Sequence, residues 1–206
     1  MKRIIWHWTA GGHRANTTDL RHYHKIIEAE GRVVDGNHPI SANAHIANGS
    51  DISTYAAHTR GLNTGSIGVA VASMRGAVER PFDPGPSPIS LAQIDAMVEL
   101  TADLCRQYSI PVTRETTLSH AEVQPTLGVA QRGKWDIAWL PGMDAPADPV
   151  KVGDGLRERV RQAMAASPAP RGAPAVDRDA VAVRRDGNPL WRGLLAVLRR
   201  IIRGGK

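Results

Sequence analysis

His7 closes a short β-rich run, Arg3-Ile4-Ile5-Trp6, and His120 closes a second one, Thr116-Thr117-Leu118-Ser119. Sixteen residues beyond His120 comes Asp136, inside Gly133-Lys134-Trp135-Asp136. Two imidazoles and a carboxylate make a three-donor set that leaves a fourth position for water, which is what a catalytic zinc ion needs. Zinc lowers the pKa of such a water toward neutrality and polarises a carbonyl. Lys134, two residues before the aspartate, would stand beside the metal and could stabilise a developing oxyanion. Spacing alone does not single out this set. The chain has eight histidines, giving many other pairs, and a histidine at a strand end also serves as a hydrogen-bonded packing residue.

Strands and helices must bring these residues together. The first β-rich run delivers His7 to its carboxyl end and breaks at Thr9-Ala10-Gly11-Gly12. Thr17-Thr18-Asp19 can cap a short helix. His24–Glu28 and Arg32–Asp35 flank Glu30-Gly31, which predicts a hairpin. Ser66–Ala72 is small and apolar at nearly every position and reads as a central strand buried on both faces. Ser90 opens a helix whose Leu91, Ile94, Met97, Val98, Leu100, Leu104 and Cys105 recur near helical spacing up to Tyr108, with Pro111 beyond. A further helix is expected from Gly155 to Ala166. Cys105 lies on an apolar helix face and reads as core, and a single cysteine excludes an intrachain disulfide. Gly11-Gly12 lacks the spacing and the lysine of a phosphate loop. His13, His38 and His45 lie in polar loops and read as surface residues.

The segments that carry these residues resemble a known family. Ile4-Ile5-Trp6-His7-Trp8-Thr9-Ala10-Gly11-Gly12 is similar to the opening strand of the type 2 N-acetylmuramoyl-L-alanine amidases, which include amidase-type phage lysozymes and the peptidoglycan recognition proteins. Tyr23-His24-Lys25-Ile26-Ile27 followed by Gly31–Gly36 resembles that family's hairpin. His58 with Asn63-Thr64-Gly65-Ser66-Ile67-Gly68 resembles its His…Asn-x-x-Ser-Ile-Gly strand, and Leu118-Ser119-His120 and Lys134-Trp135-Asp136 its remaining ligand segments. The segments fall in family order over roughly residues 3–142.

The resemblance implies an α/β fold, a central mixed β-sheet flanked by helices, with the site in a groove over one face. It implies zinc held by His7, His120 and Asp136, with Tyr23 and Lys134 as catalytic partners, and cleavage of the bond between N-acetylmuramic acid and L-alanine in peptidoglycan. His24, His58 and Asn63 are then candidates for the substrate groove, as is His22. His24 and His58 are equally readable as satisfied structural histidines. The chain departs from the family pattern after His120, where Ala121-Glu122-Val123-Gln124-Pro125 lacks the usual Pro-Gly-Arg-Lys lead-in. There Glu122 is an alternative donor, set below Asp136 because Lys134 precedes the aspartate at the family interval. Trp135 and Ile137 replace the small residue and proline common around that aspartate.

Charge divides the chain. Residues 1–170 carry 17 Lys+Arg against 17 Asp+Glu, so the whole net charge of +6 belongs to residues 171–206. The expected organisation is a catalytic domain over 1–166, a Pro/Ala-rich charged linker over 167–187 and a basic amphipathic helix over 188–206. In that helix Asn188 and Pro189 form the start, and Leu190, Trp191, Leu194, Leu195, Leu198, Ile201 and Ile202 form one apolar face opposite Arg192, Arg199 and Arg203. Such a segment suits an anionic membrane interface, and it is too short and too charged to span a bilayer. The competing reading docks it on the domain. Its continuous apolar face disfavours a nucleic-acid arm, so no nucleic-acid partner is expected.

No secretory signal opens the chain, and a monomer made in the cytoplasm and acting on the wall after release, endolysin-like, is the expected setting. The rival functions are a cytosolic amidase that recycles muropeptides, a zinc-free module that binds peptidoglycan without cutting it, and a membrane-active peptide carried by an inert domain. A chain shortened to end at Ala166 is expected to keep wall digestion and to lose binding to anionic vesicles. Retained vesicle binding in a sedimentation assay would remove the membrane role from the tail.

Overall fold

The computed structural model describes residues 1–166; the linker and amphipathic helix expected over 167–187 and 188–206 lie outside the described residues. Five strands, β1 (Arg3–Trp8), β2 (Lys25–Ile27), β3 (Val33–Asp35), β4 (Ser66–Val71) and β5 (Thr117–Ser119), form one mixed sheet in the order β3-β2-β4-β1-β5. β1 runs parallel to both β4 and β5, β2 runs parallel to β4, and only the hairpin partner β3 is antiparallel. The described residues form four helices, α1 (Thr17–His22), α2 (Leu91–Tyr108), α3 (His120–Leu127) and α4 (Pro149–Ala165), of which α2, α3 and α4 pack on this sheet. Two one-turn 3-10 segments, Ile40–Asn43 and Ile52–Thr54, lie in the long connection between β3 and β4. Among the described residues no helix is long and apolar enough to cross a membrane.

Strand alternation decides what each face of β1 does. Ile4, Trp6 and Trp8 join Ile67, Val69 and Val71 of β4 in the main core, against Ile94, Met97, Val98, Leu104 and Cys105 of α2. Ile5 and His7 point the other way, and Ile5 packs with Leu118 and Val123 in a smaller cluster. β4 is buried at all six positions, as its composition predicts for a parallel strand covered on both sides. α2 begins and ends where the sequence places it. Ser90 and Gln93 form a capping box, and Gln93 also donates from Nε2 to the carbonyls of Ile27 and Ala72, 2.9 Å in each case, tying the helix start to β2 and the end of β4.

Three local expectations change. α1 is capped by Asn16, whose side chain accepts from the amides of Thr18 and Asp19, so Thr17 is the first helical residue rather than the cap. β5 stops at Ser119, and the residues from His120 onward form a helix despite Pro125, because Ser119 and Glu122 make a capping box around its first turn. α4 starts six residues before Gly155, with Asp148 as cap and Pro149 at the first turn; Gly153 and Gly155 conceal the helical pattern in sequence.

One buried polar contact fixes the central strand to its helix. The Trp6 indole donates to Thr101 Oγ1 of α2 at 2.9 Å, and both residues are fully buried. Thr101→Val keeps the volume and leaves the indole N–H without a partner. It should lower unfolding free energy by about 1–3 kcal/mol, read as a lower urea midpoint with an unchanged slope.

Candidate functional site

Parallel pairing brings the carboxyl ends of β1, β4 and β5 to one edge of the sheet. His7 is level with Ala70 of β4, and Trp6 is level with Ser119, the residue before His120. The two histidines therefore arrive at the same edge from adjacent strands. Asp136 comes from the loop after α3. Arg132 and Gly133 both adopt left-handed backbone there, a conformation glycine takes without strain, and turn the chain toward the sheet. Ile137, directly after Asp136, is also left-handed, at φ 66°, which is unusual for a β-branched residue. Its side chain is fully buried in the main core, and that packing holds the backbone in place.

His7 Nδ1 and His120 Nδ1 stand 3.1 Å apart, and Asp136 Oδ2 lies 3.6 and 3.5 Å from them. All three residues are buried. The remaining ring nitrogens are engaged elsewhere. Gln131 donates its amide to the carbonyls of Arg60 (2.9 Å) and Val129 (3.3 Å), which turns its Oε1 toward His120 Nε2 at 2.8 Å. His120 thus carries its proton on Nε2 and presents a lone pair at Nδ1. His7 Nε2 faces Thr59 Oγ1 at 3.3 Å and His58 Nδ1 at 3.2 Å, and the Thr59 hydroxyl reaches His58 Nδ1 at 2.9 Å. A consistent proton assignment has His7 donating to Thr59 and Thr59 donating to His58, which again leaves Nδ1 of His7 as an acceptor.

Three acceptors converging without a proton to share are what a cation fills. Tetrahedral zinc with bonds of about 2.0–2.1 Å has ligands about 3.3–3.4 Å apart, a value bracketed by the three separations here. The residues present fit the ion.

The electrostatics agree with this arrangement. Burial is the main cause holding His7 down to about 4, assisted by His120 and Lys134 and opposed by Asp136. Burial is the largest influence on the Asp136 carboxyl and would raise it, but the adjoining His120 and His7 rings together outweigh it and hold the group below the usual range. Burial, then the Asp136 and Asp19 charges, push the Tyr23 phenol above its ordinary value.

His120 and Asp136 open onto a cleft of about 420 Å³, with His7 fully buried behind them. Trp8, Tyr23, His58, Asn63 and Lys134 line it together with His120 and Asp136. The Tyr23 hydroxyl donates to the Trp8 carbonyl at 3.3 Å, and its ring lies 5.2 Å from that of His7. Asn63 is placed by its backbone role: its Oδ1 accepts from the amides of His58 (3.0 Å) and Thr59 (2.8 Å), so it shapes the loop behind His7. Asn43, fully buried, braces that loop through Ala56 and the Asn63 carbonyl.

His24 is not among the cleft's lining residues. Its Nδ1 accepts from the Gly68 amide at 2.9 Å, and the residue is 2% exposed behind His58. His22 bonds the Ala57 carbonyl at 3.0 Å. The His58 ring lies against β4 so closely that a Cβ on Gly68 would meet it at 2.6 Å, so a glycine is required there. Glu122, the alternative donor, is turned away from the site and accepts from the Ser119 amide at 2.7 Å. Gln131, Thr59 and Asn43 were not visible as site residues, since an amide or hydroxyl outside any motif carries no signal in one sequence.

A mixed sheet with a buried histidine–histidine–carboxylate set at the carboxyl ends of its parallel strands defines an α/β protein with a candidate metal centre. The sequence profile of the N-acetylmuramoyl-L-alanine amidases matches residues 1–142, well over half of the chain, and the chain belongs to that family. No curated relative matches it. Among solved structures it is similar to the N-acetylmuramoyl-L-alanine amidase LysC of Clostridium intestinale URNW, at 14% identity over 78% of this chain and 85% of that one, with a TM-score of 0.45. It is similar also to the amidase AmiD of E. coli, at 21% identity over 59% and 48% of the two chains, TM-score 0.41. The endolysin of the Thermus scotoductus bacteriophage Ph2119 is a third, at 21% identity over 64% and 79%, TM-score 0.39.

His7 and His24 share a consequence for stability, since burial lowers each to about 4. In the unfolded chain a histidine titrates near about 6.5. Between these values the unfolded chain binds more protons. The stability these groups contribute is complete above about pH 6.5 and is lost as pH falls toward about 4. Chelator-treated protein should show a urea midpoint that drops through this window, by at most about 1.4 kcal/mol per pH unit for each histidine. A flat profile would show that the two rings are not buried neutral.

Proposed function

We propose that the chain hydrolyses the amide between the lactyl group of N-acetylmuramic acid and L-alanine in peptidoglycan, with a zinc ion held by His7, His120 and Asp136. The observation that carries this reading is the convergence of two imidazole Nδ1 atoms and one carboxylate oxygen, 3.1–3.6 Å apart, beside a cleft that His120 and Asp136 line. Bound there, zinc supplies Lewis acidity, activating a water and polarising a carbonyl.

The chain's own groups divide the remaining work. Gln131 and Thr59 keep both Nδ1 lone pairs turned to the same point. Lys134, exposed at the cleft, brings a positive charge to where the amide oxygen gains negative charge. Tyr23 stays protonated, because burial raises its phenol, and it can give a hydrogen bond to the tetrahedral intermediate. Ile52 and Tyr55 give the same cleft an apolar wall, and Arg60 and Arg132 give it positive charge, which suits a peptide bearing carboxylates. His58 and Asn63 contribute through the loop that positions His7. An endolysin-like role, with the basic segment 188–206 engaging an anionic membrane and the enzyme reaching the wall after release, completes the proposal; it is supported by the sequence of that segment.

Metal analysis and muropeptide digestion, run side by side on the full chain and on Asp136→Ala, test it. The unsubstituted protein is expected to hold about one zinc and to release stem peptides with a free L-alanine amino terminus. Asp136→Ala should lose the metal and fall to background activity, because two histidines alone leave the donor set incomplete. Zinc retained with peptidoglycan left intact points instead to a recognition module, and no zinc in the unsubstituted protein removes the proposed centre.

A further inference from the structure

Beneath His120 lies a buried ion pair that the cleft does not use. Glu122 is fully buried and Arg157 is 1% exposed, and Arg157 Nη1 sits 2.8 Å from Glu122 Oε1. The other carboxylate oxygen, Oε2, accepts from the Ser119 amide at 2.7 Å, the peptide that leads into His120. The same Arg157 Nη1 donates to the carbonyl of Thr117 in β5 at 2.9 Å. Its Nη2 donates to the Val150 carbonyl at 3.2 Å and to Asp154 Oδ1 at 2.8 Å, both on its own helix. One guanidinium therefore grips the strand before His120, the carboxylate just after it, and α4.

The surroundings are shaped for this contact. A Cβ on Gly153 would stand 2.2 and 2.3 Å from the Glu122 oxygens, so α4 carries a glycine where the carboxylate comes closest. Capping boxes hold helix starts with glutamates that need no counterion when they face solvent. Here the glutamate is buried, and its charge requires a partner in the interior. Stability alone does not explain the pair, because apolar residues of similar volume often replace a buried ion pair without loss. Direction does explain it: Nη1 of Arg157 meets a point on either side of His120 while Nη2 is anchored to α4 at Val150 and Asp154. A lysine's single ammonium cannot reproduce that two-nitrogen anchorage. α4 lies beyond residues 1–142, the part of the chain that the family profile matches.

We infer that Arg157 is a positioning residue for the metal ligand His120, acting through Glu122 and Thr117, so that α4 sets the affinity of the metal centre. This rests on the proposed role of His120 as a ligand.

Two variants of the full chain test it: Arg157→Lys, which keeps a charge opposite Glu122, and the neutral double variant Glu122→Gln with Arg157→Met, which leaves no unpaired charge to unfold the protein. Zinc affinity is measured by competition with a chelator, well below each melting temperature, and the visible bands of the cobalt-substituted protein report donor geometry. The double variant is expected to bind zinc about 10- to 100-fold more weakly, the range for lost support of a ligand, with shifted cobalt bands. Arg157→Lys should fall between it and the unsubstituted protein. If both variants fold and hold zinc within about twofold of the unsubstituted protein, with unchanged bands, α4 does not position the ligand. Failure of the unsubstituted protein to bind zinc is a separate result, which removes the centre itself and leaves nothing for Arg157 to position.

Discussion

The parallel pairing of β1 between β4 and β5 is the constraint on which the rest of this structure depends. A strand has two faces, and β1 uses them for different purposes. Ile4, Trp6 and Trp8 enter the main core under α2, while His7 is turned to the opposite face. Because the neighbouring strands run the same way, their carboxyl ends share an edge, and His120 reaches it one residue after β5 ends. An antiparallel neighbour would have put the second histidine at the far end of the sheet. A shift of one residue in the pairing would have exchanged His7 with the core residues.

Burial of so many polar groups raises a second demand, that each be given a partner. His7, His120 and Asp136 are withdrawn from water, and burial favours the neutral imidazole of His7. The partners come from irregular chain: the 56–63 loop, braced by Asn43 and Asn63, supplies Thr59 and His58, and the 128–137 loop supplies Gln131 and Asp136. Rigid strands place the rings, and hydrogen-bonded loops decide which nitrogen faces inward. The left-handed Ile137 belongs to this division, since a side chain locked in the core fixes the carbonyl and amide directions next to Asp136.

What the sequence discloses follows from how local each signal is. β1, the hairpin, β4 and α2 carry strong patterns, and their positions agree with the structure to within a residue or two. The family likeness of segments around His7, His120 and Asp136 marks donors that do converge. Less legible were features whose cause is tertiary. α3 contains a proline, α4 two glycines, and both are held by the Glu122–Arg157 contact, which no short window of sequence contains. His24 is readable in sequence as a groove residue or as a satisfied structural histidine, and it is buried with its Nδ1 accepting from the Gly68 amide. Gln131 and Thr59 act by orienting other side chains, a role written in three dimensions only.

The separation of the donors along the chain has a kinetic meaning. His7 meets His120 across 113 residues, and Asp136 arrives later still. During synthesis from the amino terminus, the first histidine waits for nearly the whole domain before its partners exist. Closing contacts of such long range is slow, because chain entropy must be given up first. The donor set therefore cannot form in a half-made chain. Assembly of the donor set reports that β5 has docked, that α3 has formed and that the loop behind it has folded back, so the three donors come together at the end of folding rather than at its start.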